Sequence, residues 1–214
     1  MRVIASDQLF YEVANMKSKL GGVITGVVVA GVALGLLLPG PAASANDCKT
    51  SEKWVQENVQ ELPASYAELL RYPLAYRQAI YARYSPEVKS MMWQSQFEAY
   101  LGSHPDLSPE QVALLHRSIG LMTPAIFAST RSDALLAEIE GLKDAMVATF
   151  GIEEARGIIA QLGPSDDSSL LYRCSCSTAS DYCRIGKHCH RGGCEEVRKN
   201  CGTFLSYDCD GFCN

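Results

Sequence analysis

Residues 174–214 read CSCSTASDYCRIGKHCHRGGCEEVRKNCGTFLSYDCDGFCN and hold eight of the chain's nine cysteines. We call this stretch the tail. A segment of about 40 residues buries too little apolar surface to stay folded alone, so disulfides or a metal must supply the missing stability. The cysteines therefore decide how the C-terminal end of the chain folds.

The N-terminal region indicates which kind of cross-link forms. Lys17 and Lys19 precede a long uncharged apolar run, and Ala43-Ser44-Ala45 follows it as a small-x-small cleavage signal. We predict a signal peptide over residues 1–45, with cleavage before Asn46. A transmembrane anchor is the alternative, since the run is close to the roughly 20 residues needed to span a bilayer.

Single residues predict where translation starts and that Cys48 carries no lipid anchor. Asp7 and Glu12 dilute the positive charge expected before a signal sequence, which favours Met16 as the true start. Asp47 stands where a bacterial lipobox needs a small residue before Cys48. We expect a freely secreted bacterial protein with no stable membrane anchor after signal cleavage.

Export favours disulfides over metal, because disulfides form in oxidising compartments. We predict a framework of four bridges among the eight tail cysteines, Cys174, Cys176, Cys183, Cys189, Cys194, Cys201, Cys209 and Cys213. The pairing stays open, although Cys174 and Cys176 are too close in sequence to favour bridging each other. Cys48, the ninth cysteine, has three open interpretations: a free thiol, a contact in a dimer, or an additional disulfide partner for a tail cysteine.

Zinc is the competing interpretation of the tail. Its best support is His188-Cys189-His190, but this arrangement lacks the paired C-x2-C spacing that is typical of structural zinc sites. We therefore predict no metal and no cofactor.

Residues 46–163 predict an acidic helical domain, a small bundle of six or seven helices. Ser108, Pro109 and Gln111 form a capping-box start for a helix that ends near Gly120, and Ser85-Pro86 repeats that signal. Further helices are predicted from Thr123-Pro124, from Ser132-Asp133 to Gly151, and near residues 51–62, 65–83 and 152–161. The fold class is mainly α with a small disulfide-rich C-terminal module.

Six tyrosines fall between Tyr66 and Tyr100, close to Arg77 and Arg83. They are consistent with an aromatic and cationic binding face. Half-buried packing with hydroxyls at the surface is the favoured interpretation.

Charge separates the two parts of the chain. Residues 46–173 carry 11 Lys+Arg against 17 Asp+Glu, whereas the tail carries 5 against 5. A neutral tail lacks the cationic face that draws proteins to nucleic acid or anionic lipid. We predict no nucleic-acid partner, and the sequence does not set an oligomeric state.

A linker is predicted at residues 164–173, where turn formers and acids replace the helical pattern. The residues proposed for processing are Gly163, Pro164, Asp166 and Asp167. A cut here would free the tail from the helical domain.

No catalytic motif is present in the sequence. The chain has no G-x-S-x-G, no H-E-x-x-H and no phosphate-binding glycine loop. The tail also lacks the C-x-x-C pair of thiol-exchange enzymes. We therefore predict that the protein is not an enzyme.

The tail opens with CSCSTASDYC over residues 174–183 and continues with Cys189, Cys194, Cys201-Gly202-Thr203, Tyr207 and Cys209. This pattern resembles the fulvocin C-related family of bacteriocins, over about the last fifth of the chain. The resemblance implies an antibacterial peptide that acts on a bacterial cell-envelope component, with the cysteines as framework and the helical domain as a leader or companion domain. Ser177, Thr178, Ser180 and Asp181 are also ordinary turn and cap residues.

Three functions follow as hypotheses. The first is a secreted bacteriocin precursor whose tail is released by a cut in the linker. The second is an uncut secreted binding module. The third is an immunity or envelope-stress protein that shares the toxin scaffold without killing.

Overall fold

A computed structural model describes residues 48–165, 176–192 and 198–214 of the chain. The described part contains seven α-helices: α1 Cys48–Glu57, α2 Tyr66–Leu69, α3 Leu74–Tyr81, α4 Pro86–Ser103, α5 Pro109–Leu121, α6 Asp133–Phe150 and α7 Ile152–Ile159. Single 3₁₀ turns lie at Val59–Glu61, Pro124–Phe127 and Thr203–Leu205. The mainly helical fold class is confirmed, and the predicted signal peptide lies outside the described residues.

Serine caps begin the long helices. The side chains of Ser85, Ser108 and Ser132 each accept a hydrogen bond from the backbone N–H three residues later. The Gln111 side chain accepts in return from the Ser108 backbone N–H at 2.9 Å, which completes the predicted capping box. These starts place α4, α5 and α6 where the sequence predicts them.

Two predicted helices differ in the structure. The helix expected over residues 65–83 is wrong as one element, because α2 ends at Leu69 and α3 begins only after Pro73. Proline lacks a backbone N–H and disfavours the helical conformation of the residue before it. The helix expected from Thr123-Pro124 is a single 3₁₀ turn.

Four short strands build the described part of the tail: β1 Cys189–Arg191, β2 Arg198–Cys201, β3 Tyr207–Cys209 and β4 Gly211–Cys213. β1 pairs antiparallel with β4, and β2 pairs antiparallel with β3 across an irregularity between Lys199 and Cys201. None of these strands is predicted from the sequence, because three- or four-residue strands show too little alternation to be recognised.

The helical domain and the tail share one hydrophobic core. Trp93, Phe97 and Tyr81 form its helical centre, and Phe204 and Leu205 of the tail are buried against it. Both parts belong to the same compact unit. The tail therefore packs against the helices through a shared core and is not a separate module held only by its own disulfides.

Within the described ranges, no helix has both the length and the apolar content needed to cross a bilayer.

Candidate functional site

Three disulfides cross-link the described part of the tail. They join Cys176 to Cys189, Cys183 to Cys213 and Cys201 to Cys209, with Cα separations of 5.9, 5.5 and 5.1 Å. These separations lie in the normal range for disulfides. The prediction of a disulfide-rich tail is confirmed for these six cysteines, whereas Cys174 and Cys194 lie outside the described residues.

The histidines proposed for zinc lie at the surface. His188 and His190 are exposed, and Cys189 between them is bonded to Cys176. The sulfur atoms of Cys176, Cys183 and Cys213 lie within 4.8 Å of one another because two disulfides are adjacent. These sulfurs offer thiolate ligands only after reduction.

Two aspartates brace the loops of the tail. The Asp181 carboxylate accepts hydrogen bonds from the backbone N–H groups of Cys183 and Cys189 at 2.7 and 2.9 Å. Asp210 accepts from the backbone and hydroxyl of Thr178 at 2.8 and 2.6 Å, and from Arg191 at 3.2 Å. Burial opposes ionisation of Asp210, but these hydrogen bonds outweigh it and lower its pKa. Thr178 and Asp181, two of the turn residues that the bacteriocin resemblance includes, therefore stabilise the fold of the tail.

Phe204 inserts from the tail into the helical core. Its side chain has no exposed surface, and its ring meets those of Trp93 and Phe97 edge-on, with centroids 5.5 and 6.3 Å apart. Leu205 and Tyr182 are buried beside it at 4% and 7% exposure. This insertion anchors the tail to the helical domain.

Hydrogen bonds fix the backbone of the anchor. The Phe204 carbonyl accepts from the Tyr81 hydroxyl at 3.0 Å and from the Trp93 indole N–H at 3.1 Å. The same indole also reaches the Tyr81 hydroxyl at 3.0 Å. Burial raises the pKa of Tyr81, so its hydroxyl stays protonated as a donor. Tyr81 therefore differs from the half-buried tyrosines predicted from the sequence, whose hydroxyls were expected at the surface.

The anchor loop holds an unfavourable backbone conformation. Phe204 and Leu205 have φ angles of 56° and 52°, in the left-handed region that residues other than glycine rarely adopt. Such residues persist when their surroundings determine them strongly. Arg131 of the helical domain adds to this constraint by donating to the Ser206 hydroxyl at 2.9 Å and to the Ser206 carbonyl at 3.2 Å.

The start of the predicted linker is tied to the helices. The Gly163 N–H donates to the Gln96 side chain at 2.7 Å, and the buried Arg77 guanidinium donates to the carbonyls of Leu162 and Pro164. These contacts hold two of the four residues proposed for processing. Asp166 and Asp167 lie outside the described residues, as do Ala43, Ala45 and Asn46 of the predicted signal cleavage site.

One turn of the tail presents an apolar side chain to solvent. Ile185 is 89% exposed in a turn closed by a hydrogen bond of 2.9 Å from the Lys187 N–H to the Arg184 carbonyl. Gly186 has a φ of 80°, which a type II turn requires at this position. Cys183, the residue before the turn, is bonded to Cys213. We call residues 184–187 the tip.

A cleft of about 690 Å³ lies between the tail and helices α1, α3 and α7. Its helical side includes Val55, Leu74 and Gln78, and its tail side includes Asn200 and Leu205. Sequence reasoning missed this cleft and the Phe204 anchor, because both depend on how the tail packs. The adjacent Phe204 and Leu205, in a tail with few other apolar residues, are the sequence signal that could have predicted an anchor.

No family model, curated protein or solved structure matches the chain. None of these comparisons links the tail to the fulvocin C-related bacteriocins.

Proposed function

We propose that the protein is a secreted bacteriocin-like precursor in which the helical domain shields the disulfide-bonded tail until the linker is cut. The observation that carries this proposal is the burial of Phe204 between Trp93 and Phe97. A leader that shields its peptide must cover the peptide's apolar surface, and this contact does so.

Separation of the tail would uncover an apolar patch. Phe204 and Leu205 would both face water, and a 41-residue segment has little other core in which to bury them. Exposed apolar patches are typical of surfaces that bind membranes or proteins. The released tail would thus carry a binding surface that the precursor hides.

The helical domain would also direct the folding of the tail. Two consecutive left-handed residues, Phe204 and Leu205, are unfavourable in a free peptide, and contacts with Tyr81 and Trp93 hold them in place. A loop held in this way brings Cys201 and Cys209 together on either side of it. Oxidation within the precursor then favours one set of bridges.

Release requires a cut beyond the part of the linker that the helices hold. The Gly163 N–H and the Pro164 carbonyl are hydrogen-bonded to Gln96 and Arg77, which opposes the local unfolding that cleavage requires. We place the cut at Asp166 or Asp167.

The tip would contact the target, an envelope component of susceptible bacteria. An isoleucine that is 89% exposed on a hydrogen-bonded turn, close to Arg184 and Lys187, suits a surface that offers an apolar pocket and negative charge. The three disulfides support an extracellular site of action, because such bonds persist in oxidising compartments. The proposal involves neither catalysis nor a cofactor.

The test uses the oxidised chain from Asn46 with residues 166–173 replaced by the recognition sequence of a specific protease. A control carries the same residues in scrambled order. We expect the uncut protein and the control to be inactive, and the purified released tail to inhibit related bacteria. Equal inhibition before and after cutting, or an inactive tail that retains its three mapped bridges, would overturn the proposal.

A second candidate function is an uncut secreted binding module. The shared core favours it, because Phe204 couples the tail to the helices as one unit. Intact mass measurement of culture medium, before and after reduction, separates the two candidates. A full mature chain alone favours the binding module, and a separate tail that gains two hydrogens per bridge favours the precursor.

A third candidate is an immunity protein, which needs its own readout. Expression that protects the producing cells from a bacteriocin, with no inhibition of neighbours, would favour it over both others.

A further inference from the structure

The cleft between the tail and the helices concentrates positive charge in an acidic chain. Arg83 and Arg156 line it from the helical side, and Arg184, Lys187 and Lys199 line it from the tail side. Among the described residues of the lining, Glu52 is the single carboxylate. The net charge of the whole chain is −5, so this local balance is opposite to that of the protein.

Nearby acids neutralise this charge only in part. Glu153 lies 3.2 Å from Arg156 and 3.7 Å from Arg184, so one carboxylate serves two guanidinium groups. Asp208 lies 2.5 Å from Lys199. No ion pair within the described ranges involves Arg83 or Lys187, and both side chains are exposed. Among the described residues, the cations that line the cleft therefore outnumber the acids that line it or pair with them.

The cations on the two sides of the cleft repel one another. Like charges from two packed surfaces oppose close approach, and they do so more strongly where apolar walls lower the local dielectric. Val55, Leu74 and Leu205 form such walls. An anion that contacts both sides would replace this repulsion with attraction.

We propose that the cleft binds a small multivalent oxyanion, a molecule with at least two phosphate or carboxylate groups, which bridges the helical domain and the tail. Arginine binds both groups with paired N–H donors, and lysine binds them as a point charge. A volume of about 690 Å³ is in the usual range for small-ligand sites.

Bridging has a regulatory consequence. A ligand that contacts both parts binds the docked tail more tightly than a displaced one, so it stabilises docking. This consequence requires only that the tail packs as described, and it holds whether or not the tail is antibacterial.

The experiment titrates the oxidised chain from Asn46 with tripolyphosphate, and separately with citrate, at constant ionic strength. Calorimetry measures affinity, and the melting temperature measures stabilisation. We expect saturable binding of at least one probe and a rise in melting temperature. Binding of tripolyphosphate alone assigns a phosphate ligand, and binding of citrate alone assigns a carboxylate ligand.

The variant R83Q/K187Q removes two exposed cations of the cleft, and R71Q/R117Q removes two exposed arginines that do not line it. We expect affinity to fall by about tenfold or more in the cleft variant, since charge-assisted contacts are the stronger hydrogen bonds. The control should bind like the unmodified protein. Absent saturable binding, or equal weakening in both variants, would overturn the proposal.

Discussion

The indole N–H of Trp93 in α4 donates a hydrogen bond of 3.1 Å to the carbonyl of Phe204 in the tail, and the two rings meet at an interplanar angle of 70°. These residues lie 111 positions apart. Their contact joins the core of the helical domain to a tail loop closed by the Cys201–Cys209 disulfide. The three described disulfides lie within the tail, so this packing and hydrogen bonding attach it to the helices.

Replacement of Phe204 by alanine should destabilise the protein strongly. The change removes a fully buried ring and leaves a cavity against Trp93 and Phe97, which costs about 3–5 kcal/mol in typical cores. The matched control is Phe212→Ala, because Phe212 is 39% exposed, and it should cost no more than about 1 kcal/mol. Urea unfolding of the oxidised proteins measures both, and similar losses would contradict the anchor.

Stability should fall at alkaline pH because of buried tyrosines. Burial raises the pKa of Tyr84 to about 12 from 10.0, and burial also raises the pKa of Tyr66 and Tyr182. The folded state disfavours the phenolate, so this contribution is complete below pH 10 and is lost as the pH rises toward 12.

Urea unfolding from about pH 9 to about pH 12, in thiol-free buffer, should show this decline. Tyr84→Phe should make the decline shallower, since it removes one titrating group with a raised pKa. An unfolding free energy that does not change over this range would contradict the interpretation.

The disulfides should differ in their contribution to stability. Cys183–Cys213 spans 30 residues and Cys201–Cys209 spans 8. A longer loop loses more entropy on closure, so the double alanine variant of the first pair should be less stable than that of the second by about 1 kcal/mol. Urea unfolding under non-reducing conditions compares the two, and a reversed order would show that loop entropy does not dominate.

Ile185→Ser tests whether the tip contacts a target. Ile185 is 89% exposed, so the change should alter the unfolding free energy by less than about 0.5 kcal/mol. We expect loss of bacterial inhibition by the released tail. Val59→Ser in the full chain changes another exposed apolar residue, at 52%, and serves as the control for the stability measurement only. Unchanged inhibition by the Ile185 variant would exclude the tip as the contact.

Arg77→Gln should expose the linker to proteolysis. The change weakens the hydrogen bonds that hold the carbonyls of Leu162 and Pro164, while Arg71→Gln alters an exposed arginine nearby. Limited digestion with a protease specific for acidic residues should cut the Arg77 variant faster at Asp166 or Asp167. Faster cutting inside the helices as well would indicate global unfolding instead.

Local signals predicted much of the helical domain. Ser85, Ser108 and Ser132 begin helices because a serine hydroxyl caps free backbone N–H groups within three residues. Gly151 ends α6 because its φ of 79° is accessible to glycine. Pro73 was a local signal that was not used. It separates α2 from α3, whereas the sequence was interpreted as one helix over residues 65–83.

Of the candidate site, only the disulfide-bonded cysteines were predicted from the sequence. The spacing indicated a cross-linked tail, but the pairs Cys176–Cys189 and Cys183–Cys213 depend on which strands meet, and short strands carry no sequence pattern of their own. The cleft combines Arg83 with Lys187 from segments about 100 residues apart, and no local rule brings them together.

The sequence by itself determined the helix boundaries at capped serines, the acidic character of the helical domain and the need for cross-links in the tail, because each depends on neighbouring residues or composition. Tertiary structure alone decided that Phe204 enters the core between Trp93 and Phe97 and that a cationic cleft opens beside it. The hydrophobic effect that buries an aromatic ring has no preferred direction or sequence partner. The shape of the packed helices therefore decides which side chains the ring contacts.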